Sequence, residues 1–267
     1  MMIMNKRRMR ILDEMKAKIR KAHLSRDNLM VFADGASSDL EKHINILFER
    51  LTEWYGVYFP ELKLEDRVKY CNLVLQIDKN DFQKSKKAIQ SILGEKAEGV
   101  VKSLQNTMGA DLDEKDLDSI KLLAQQILAL EETKDQLEKY IESLAKEVCP
   151  NLSEVGGPKI AAKLIAHVGS LEKLAKLPAS TIQVLGAEKA LFKHLRRKTK
   201  PPKHGIIFQH TIIHSAPKDK RGRLARTLAS KLAIAAKVDA YGKGHFVGKE
   251  LREDFEKRVK EIMNEKE

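Results

Sequence analysis

The residues with chemical potential are concentrated between Lys189 and Arg226. Twelve lysines and arginines fall there (Lys189, Lys193, Arg196, Arg197, Lys198, Lys200, Lys203, Lys218, Lys220, Arg221, Arg223 and Arg226), against only Glu188 and Asp219 nearby. Cations this dense, without the glutamates that a solvated face interleaves, fit contact with phosphates. Between the two basic runs lies Gly205-Ile206-Ile207-Phe208-Gln209-His210. Its Gln209 amide and His210 imidazole can reach nucleobase edges or stack on them, which phosphate contact alone would not require. His204, His210 and His214 invite a metal reading, but no acidic or cysteine ligand lies among them and their surroundings are cationic. No glycine-rich phosphate loop, nucleophile elbow or paired-carboxylate arrangement is present, so catalysis has no visible seat.

Charge is unevenly divided along the 267 residues: +5 over 1–36, −6 over 37–150 and +13 over 151–267, for a net +12. A basic module joined to an acidic one assigns polyanion contact to the first and other work to the second. The length accommodates two modules, each burying its own core. Cys71 and Cys149 stand far apart without a CxxC or a neighbouring Cys/His pair, so neither a disulfide framework nor a zinc site is supported, and both are expected as buried, reduced thiols. No apolar run approaches the ~20 residues needed to cross a bilayer, and no membrane partner is expected.

The elements that must position these residues read as helices. Leu40, Ile44, Leu47, Leu51 and Trp54 form one stripe of a helix expected to stop at Gly56, followed by a packed aromatic turn over residues 54–60. A heptad seam then runs through Ile120, Leu123, Ile127, Leu130, Lys134, Leu137, Ile141, Leu144 and Val148, a helix about 45 Å long. The first stripe is too short to cover it, which predicts a homodimer unless helices between Glu65 and Leu104 cover the remainder. Pro150 and Gly156-Gly157-Pro158 mark the boundary of the basic module, with helices expected over 160–168, 188–195 and 222–241. In the last, Leu224, Leu228, Leu232 and Ala235 face inward and Arg223, Arg226, Lys231 and Lys237 outward. The Val155–Ala161 stretch with Val168-Gly169-Ser170-Leu171 also looks like a helix-hairpin-helix, which read alone suggests a DNA-binding repair factor.

Three stretches together carry a more specific resemblance: Gly186-Ala187-Glu188-Lys189-Ala190-Leu191-Phe192, residues 201–210 (PPKHGIIFQH) and residues 233–241 (AIAAKVDAY). With Arg50–Gly56 and Phe59-Pro60-Glu61-Leu62 upstream, the chain resembles the Nop-domain family: the nucleolar proteins Nop fifty-six and Nop fifty-eight, their single archaeal counterpart and a spliceosomal relative. The resemblance implies a non-catalytic scaffold of box C/D guide-RNA particles for 2′-O-methylation. Its implied partners are the methyltransferase fibrillarin, box C/D guide RNA and a small kink-turn-binding protein. It implies no cofactor on this chain, S-adenosylmethionine being expected on fibrillarin only. RNA contacts carry over to Lys189, Gln209, Arg226 and Lys237, and contact with the kink-turn protein to Gly186, Ala187 and Glu188. Lys193, Arg196, Arg197, Lys203, His210 and Arg223 complete the expected RNA-binding set. Dimerisation is expected at Ile120, Leu123, Ile127, Leu130, Leu137, Ile141 and Leu144. The single protein without a low-complexity tail looks archaeal, hence cytoplasmic. The family's amino-terminal domain is larger than what precedes Leu40, so a closing helix at about Arg7 to Leu24 and a short extended piece at Met30 to Ala33 are expected to remain. The expected architecture is all-α: a remnant of the fibrillarin-binding domain at 1–38, a coiled-coil helical domain at 39–149 and a Nop domain at 150–267.

Overall fold

The computed structural model describes residues 8–16 and 25–264, and among these every regular element is helical. After a helical stretch over 8–16, the chain forms α1 (Arg26–Tyr58), α2 (Arg67–Gln76), α3 (Phe82–Leu93), α4 (Ala97–Gln105), α5 (Glu114–Val148), α6 (Pro150–Gly156) and α7 (Pro158–Val168). There follow α8 (Leu171–Ala175), α9 (Ala179–Val184), α10 (Glu188–Arg197), a 3₁₀ turn (Ile206–Gln209), α11 (Thr211–Ser215), α12 (Arg221–Tyr241) and α13 (Gly248–Asn264). Packing divides the chain into Ser37–Gln136 and a unit made of Met1–Ala36 with Leu137–Glu267, so the division falls within α1 and α5.

The Ser37–Gln136 unit closes around Ile44, Leu51, Tyr55, Tyr70, Leu73, Ile89, Leu104, Ile120 and Ile127. α2 and α3 are each started by an aspartate, Asp66 and Asp81, whose side chain accepts from the backbone N–H three residues on. A four-membered ion network crosses this unit: Glu41 pairs with Arg67 (2.9 Å) and Lys134 (2.8 Å), and Glu131 with the same two cations (2.8 and 2.9 Å). Lys134, which breaks the apolar seam, is thus the site where α5 receives a polar partner.

The other unit is organised by α12, whose Leu224, Leu228, Leu232 and Ala235 are fully buried as the pattern predicted. α6, α8, α9 and α13 pack around it. Asp239 of α12 accepts from both backbone amides that open α6, Asn151 (3.1 Å) and Leu152 (2.8 Å), and from the Asn151 side chain (2.7 Å). Asn151 in turn ties down His245 and Val247, fixing the connection to α13. Both cysteines are buried, and burial pushes their thiols up to about 12.

Several expectations are corrected. Residues 30–33 are not extended: they lie inside α1, where Met30 and Ala33 are buried in the core around α12. The expected helix over 7–24 is seen as helical, exposed residues 8–16, while 7 and 17–24 lie outside the described residues. α1 does not stop at Gly56, because Tyr55 and Tyr58 both turn into the core and Phe59 N–H bonds back to Tyr55; Trp54 is left exposed. The expected dimer seam is covered in part within the chain. Ile120 and Ile127 sit fully buried against α2–α4, Ile141 and Leu144 are buried against the α12 core, and Leu123, Leu130 and Leu137 are half-buried. Compact packing also departs from the expected spans 1–38, 39–149 and 150–267, since 26–36 and 137–148 supply core residues to the α12 unit.

Candidate nucleic-acid interface

Two loops are locked together to present the candidate site. The chain after α9 turns at Gly186, whose φ of 83° lies in the left-handed region and where a Cβ would stand 2.7 Å from Ile206. Opposite it, a Cβ on Gly205 would stand 1.9 Å from the Leu185 carbonyl oxygen. The Gly205 and Ile206 N–H groups donate to Gln183 (3.0 Å) and Leu185 (2.7 Å), and the Gln183 side chain to the Lys203 carbonyl (2.8 Å). The two motifs GAEKALF and PPKHGIIFQH are therefore one structural feature, and its glycines are required by closeness of approach.

Glu188 opens α10 and accepts from the Gly186 N–H at 2.7 Å, while its Oε1 is also 2.7 Å from Nε2 of His167. Burial pushes its carboxyl up, but the Gly186 and Glu188 N–H groups and His167 outweigh that and hold it below the usual range. One turn earlier on α7, Lys163 donates to Gln209 at 2.8 Å. Lys163 and His167 thus join the Gly186-Ala187-Glu188 turn and Gln209 into one surface. Sequence reasoning missed both, although their i,i+4 spacing on a helix beside the motif was legible.

The cations lie on α10, at Lys203 and on α12. Lys189, Lys193, Arg196 and Arg197 are exposed on α10, which buries none of its side chains and also leaves Phe192 and Leu195 in solvent at 60% and 66% exposure. Lys203 is exposed and bonds the Lys218 carbonyl (3.1 Å), with its methylenes against Gly222 at the start of α12. Arg223, Arg226 and Lys237 are exposed along α12. Arg226 and Lys237 share one side of that helix about 16 Å apart. The same stripe contains Ser230, Ile234 and Tyr241, the last two exposed, so an aromatic ends a basic row. Ser230 was not singled out from sequence, and Ile234 and Tyr241 entered only as members of the 233–241 motif; their spacing from Arg226 was the available signal.

His210 does not join the cationic face. Its ring is half-buried, set edge-on against Phe255 (5.6 Å, 86°), and burial lowers its pKa, with Arg252 adding to the effect. His204 stacks flat on Phe208 (4.3 Å), and His214 packs tilted beside the same ring at 5.2 Å. Among the described residues no group of three His, Cys, Asp or Glu side chains is placed to hold a metal, and no helix is long and apolar enough to cross a membrane. The Gly156-Gly157 hairpin is also accounted for. Gly157 N–H caps α6 by donating to Ser153 (3.0 Å), and Gly156 lies buried with a Cβ position 2.9 Å from Leu232. Glycine amides committed in this way are not free to hold a DNA backbone.

Comparison with known proteins decides the lineage. Residues 36–261 match the family model described as Nop, snoRNA binding domain, fibrillarin. The chain belongs to the Nop family. It is 46% identical over 241 residues to a NOP5 family protein of Methanocaldococcus jannaschii, covering 89% of this chain and 57% of that protein. It is 41% identical over 217 residues to nucleolar protein 58 of Sclerotinia sclerotiorum, covering 80% and 38%. The chain thus spans about half or less of these Nop relatives' own length. Among solved structures it is similar to a chain of a crystal structure described as a fibrillarin/Nop5p complex, with a TM-score of 0.53 and 28% identity, covering 95% of this chain and 78% of that one. The all-α Nop fold is therefore shared.

Proposed function

We propose that this Nop protein is a non-catalytic scaffold of box C/D ribonucleoprotein particles that direct 2′-O-methylation of RNA. The observation that carries the reading is the joined surface of Gly186-Ala187-Glu188, His167, Lys163 and Gln209, flanked by the exposed cations of α10 and α12. Lys189, Lys193, Arg196, Arg197, Lys203, Arg223, Arg226 and Lys237 supply phosphate contact that any RNA would share and that salt weakens steeply. Specificity comes from the turn and from Gln209. The turn has little side chain to offer a base and is held rigid, so it suits close approach to the small kink-turn-binding protein, while Gln209 addresses RNA. Each surface alone is insufficient, and the composite of kink-turn RNA with its protein is the ligand.

The fibrillarin contact is assigned to the segment before Leu40. Its support is that Ile11, Leu12 and Met15 of helical residues 8–16 lie on one side of that helix and are exposed, as is Phe32. Self-association is proposed through the positions of the Ile120–Leu144 seam that stay half-buried, Leu123, Leu130 and Leu137. The test of the central reading is a titration at physiological salt of kink-turn RNA, with and without the kink-turn protein, and of duplex DNA. Tight binding only to the RNA–protein composite is expected. Equal affinity for bare and protein-bound RNA, or preference for the duplex DNA, would refute it.

A further inference from the structure

We propose that Lys163 is a positioning residue: it holds the oxygen end of the Gln209 side-chain amide, so that the exposed NH₂ end takes only a hydrogen-bond acceptor of the bound RNA. This rests on the RNA-binding reading above. Lys163, half-buried on α7, donates from Nζ to Oε1 of Gln209 at 2.8 Å. An ammonium group has three donors and no acceptor, so it can meet only the oxygen end of an amide. Shape alone does not distinguish the two ends of a glutamine, and here the charge of Lys163 does. Gln209 is an exposed residue, and its NH₂ group donates to nothing among the described residues. Two N–H donors are thus left available on the face assigned to RNA.

Both ends of the contact are set by the fold. Gln209 closes the 3₁₀ turn, which the Ile206 N–H ties to Leu185 (2.7 Å) and the His210 N–H caps on the Ile207 carbonyl (3.1 Å). Lys163 is carried by α7, and its charge is also felt by Asp34 of α1, a half-buried carboxyl that burial pushes up and Lys163 pulls down. A cation engaged by an amide oxygen and opposed by a carboxyl is poorly placed to serve a phosphate as well. Its work is on Gln209. A side chain ordered before RNA arrives loses little rotamer freedom on binding. Turning the amide over would set its NH₂ group against an ammonium, so an RNA group that offers only donors is rejected. Phosphate oxygens, base carbonyl oxygens and unprotonated ring nitrogens fit; an exocyclic amine does not.

The experiment measures binding of the full chain to a kink-turn guide RNA carrying the kink-turn protein, at several salt concentrations. Gln209→Ala should weaken binding about five- to tenfold, the loss of one hydrogen bond. Lys163→Met keeps the apolar stem and removes the ammonium. It should weaken binding about threefold, leave the salt slope unchanged and cost nothing further in the Gln209→Ala background, while Lys163→Arg, which retains the donors, should keep most of the affinity. A salt slope lowered by about one, or the same loss with and without Gln209, would make Lys163 a phosphate contact in its own right and overturn the proposal. Lys163→Met with Asp34→Asn, which removes the opposing carboxylate, repeats the measurement should the single variant lose its fold. Two RNA series then locate the acceptor: a 2′-deoxy methylphosphonate at each phosphate, against 2′-deoxy alone, and an abasic residue at each unpaired nucleotide. One position should weaken binding of the wild-type chain and leave that of Gln209→Ala unchanged, and its series tells a phosphate oxygen from a base group. At a base, an analogue lacking only the acceptor should bind no better than the abasic RNA; recovery would overturn the acceptor assignment. Absence of any position coupled to Gln209 overturns the proposal while leaving RNA binding standing. Failure of the wild-type chain to bind the RNA at all overturns the underlying reading instead.

Discussion

Replacing Ile127 by alanine separates a filled core from an open dimer seam. Ile127 lies at 0% exposure among α2, α3, α4 and α1 side chains. Ile127→Ala removes three carbons, about 2.4 kcal/mol at ~0.8 kcal/mol per buried CH₂, and leaves a cavity that the helices around it can only partly close. A total cost of about 3 to 4 kcal/mol follows. For unfolding of a unit of this size that is a fall in Tm of about 10 °C or more, read by circular dichroism or calorimetry. The control is Leu122→Ala on the same helix, where 58% exposure predicts a change within about 0.5 kcal/mol. If Ile127 were an interface residue, the variant would instead shift the sedimentation coefficient towards monomer at micromolar concentration, and the loss of Tm would shrink as protein concentration rose. That pattern would refute the assignment of the seam to the chain's own core.

Further outcomes are expected. Glu41 is held down at about 2, against an ordinary 4.5, first by its hydrogen bond from Arg67 and then by that from Lys134. A carboxyl that binds its proton less readily in the folded chain adds stability that is complete above about pH 4.5 and is lost as pH falls towards 2. Because its side chain is 42% exposed, solvent screening reduces the contribution to about 1 to 2 kcal/mol, and Glu41→Gln should flatten that acid limb in urea titrations. Asp239→Ala should cost about 2 to 4 kcal/mol, since it strips partners from the Asn151 and Leu152 amides; an unchanged urea midpoint would show that the α6 cap is dispensable. Arg226→Ala should weaken binding of the kink-turn composite by about 1.5 to 3 kcal/mol and lower the salt slope by about one, whereas Lys198→Ala should cost much less. Equal losses at the two positions in filter binding would remove the distinction between them. Deleting residues 1–35 should abolish co-purification with fibrillarin; unchanged recovery would place that contact elsewhere. The deletion also removes Met30 and Ala33 from the α12 core, so its folding is checked by circular dichroism alongside.

The sequence by itself determined the helical class, the basic character of the carboxy-terminal half and the motif residues. These depend on local periodicity and composition, and the inward leucines of α12 or the exposed cations of α10 follow from spacing alone. It also exposed Lys134 as the break in the seam, but not the reason, because Glu41 reaches Lys134 from 93 residues away and Arg67 reaches Glu131 from 64 residues away along the chain (131 − 67). Tertiary structure decided which partner an apolar stripe takes. The seam looked open because the Leu40–Trp54 stripe is short, yet α2–α4 fold onto its first half and the α12 core onto its last turns, and periodicity reports that a face must be covered without saying by what. Helix ends moved for the same reason: Tyr55 and Tyr58 carry α1 past Gly56 because burying them outweighs the glycine's weak helix propensity. His210 gives the sharpest case. Its neighbours in sequence are basic and polar, but Phe255, 45 residues away, takes its ring off the cationic surface and into a cavity, an environment fixed by packing alone.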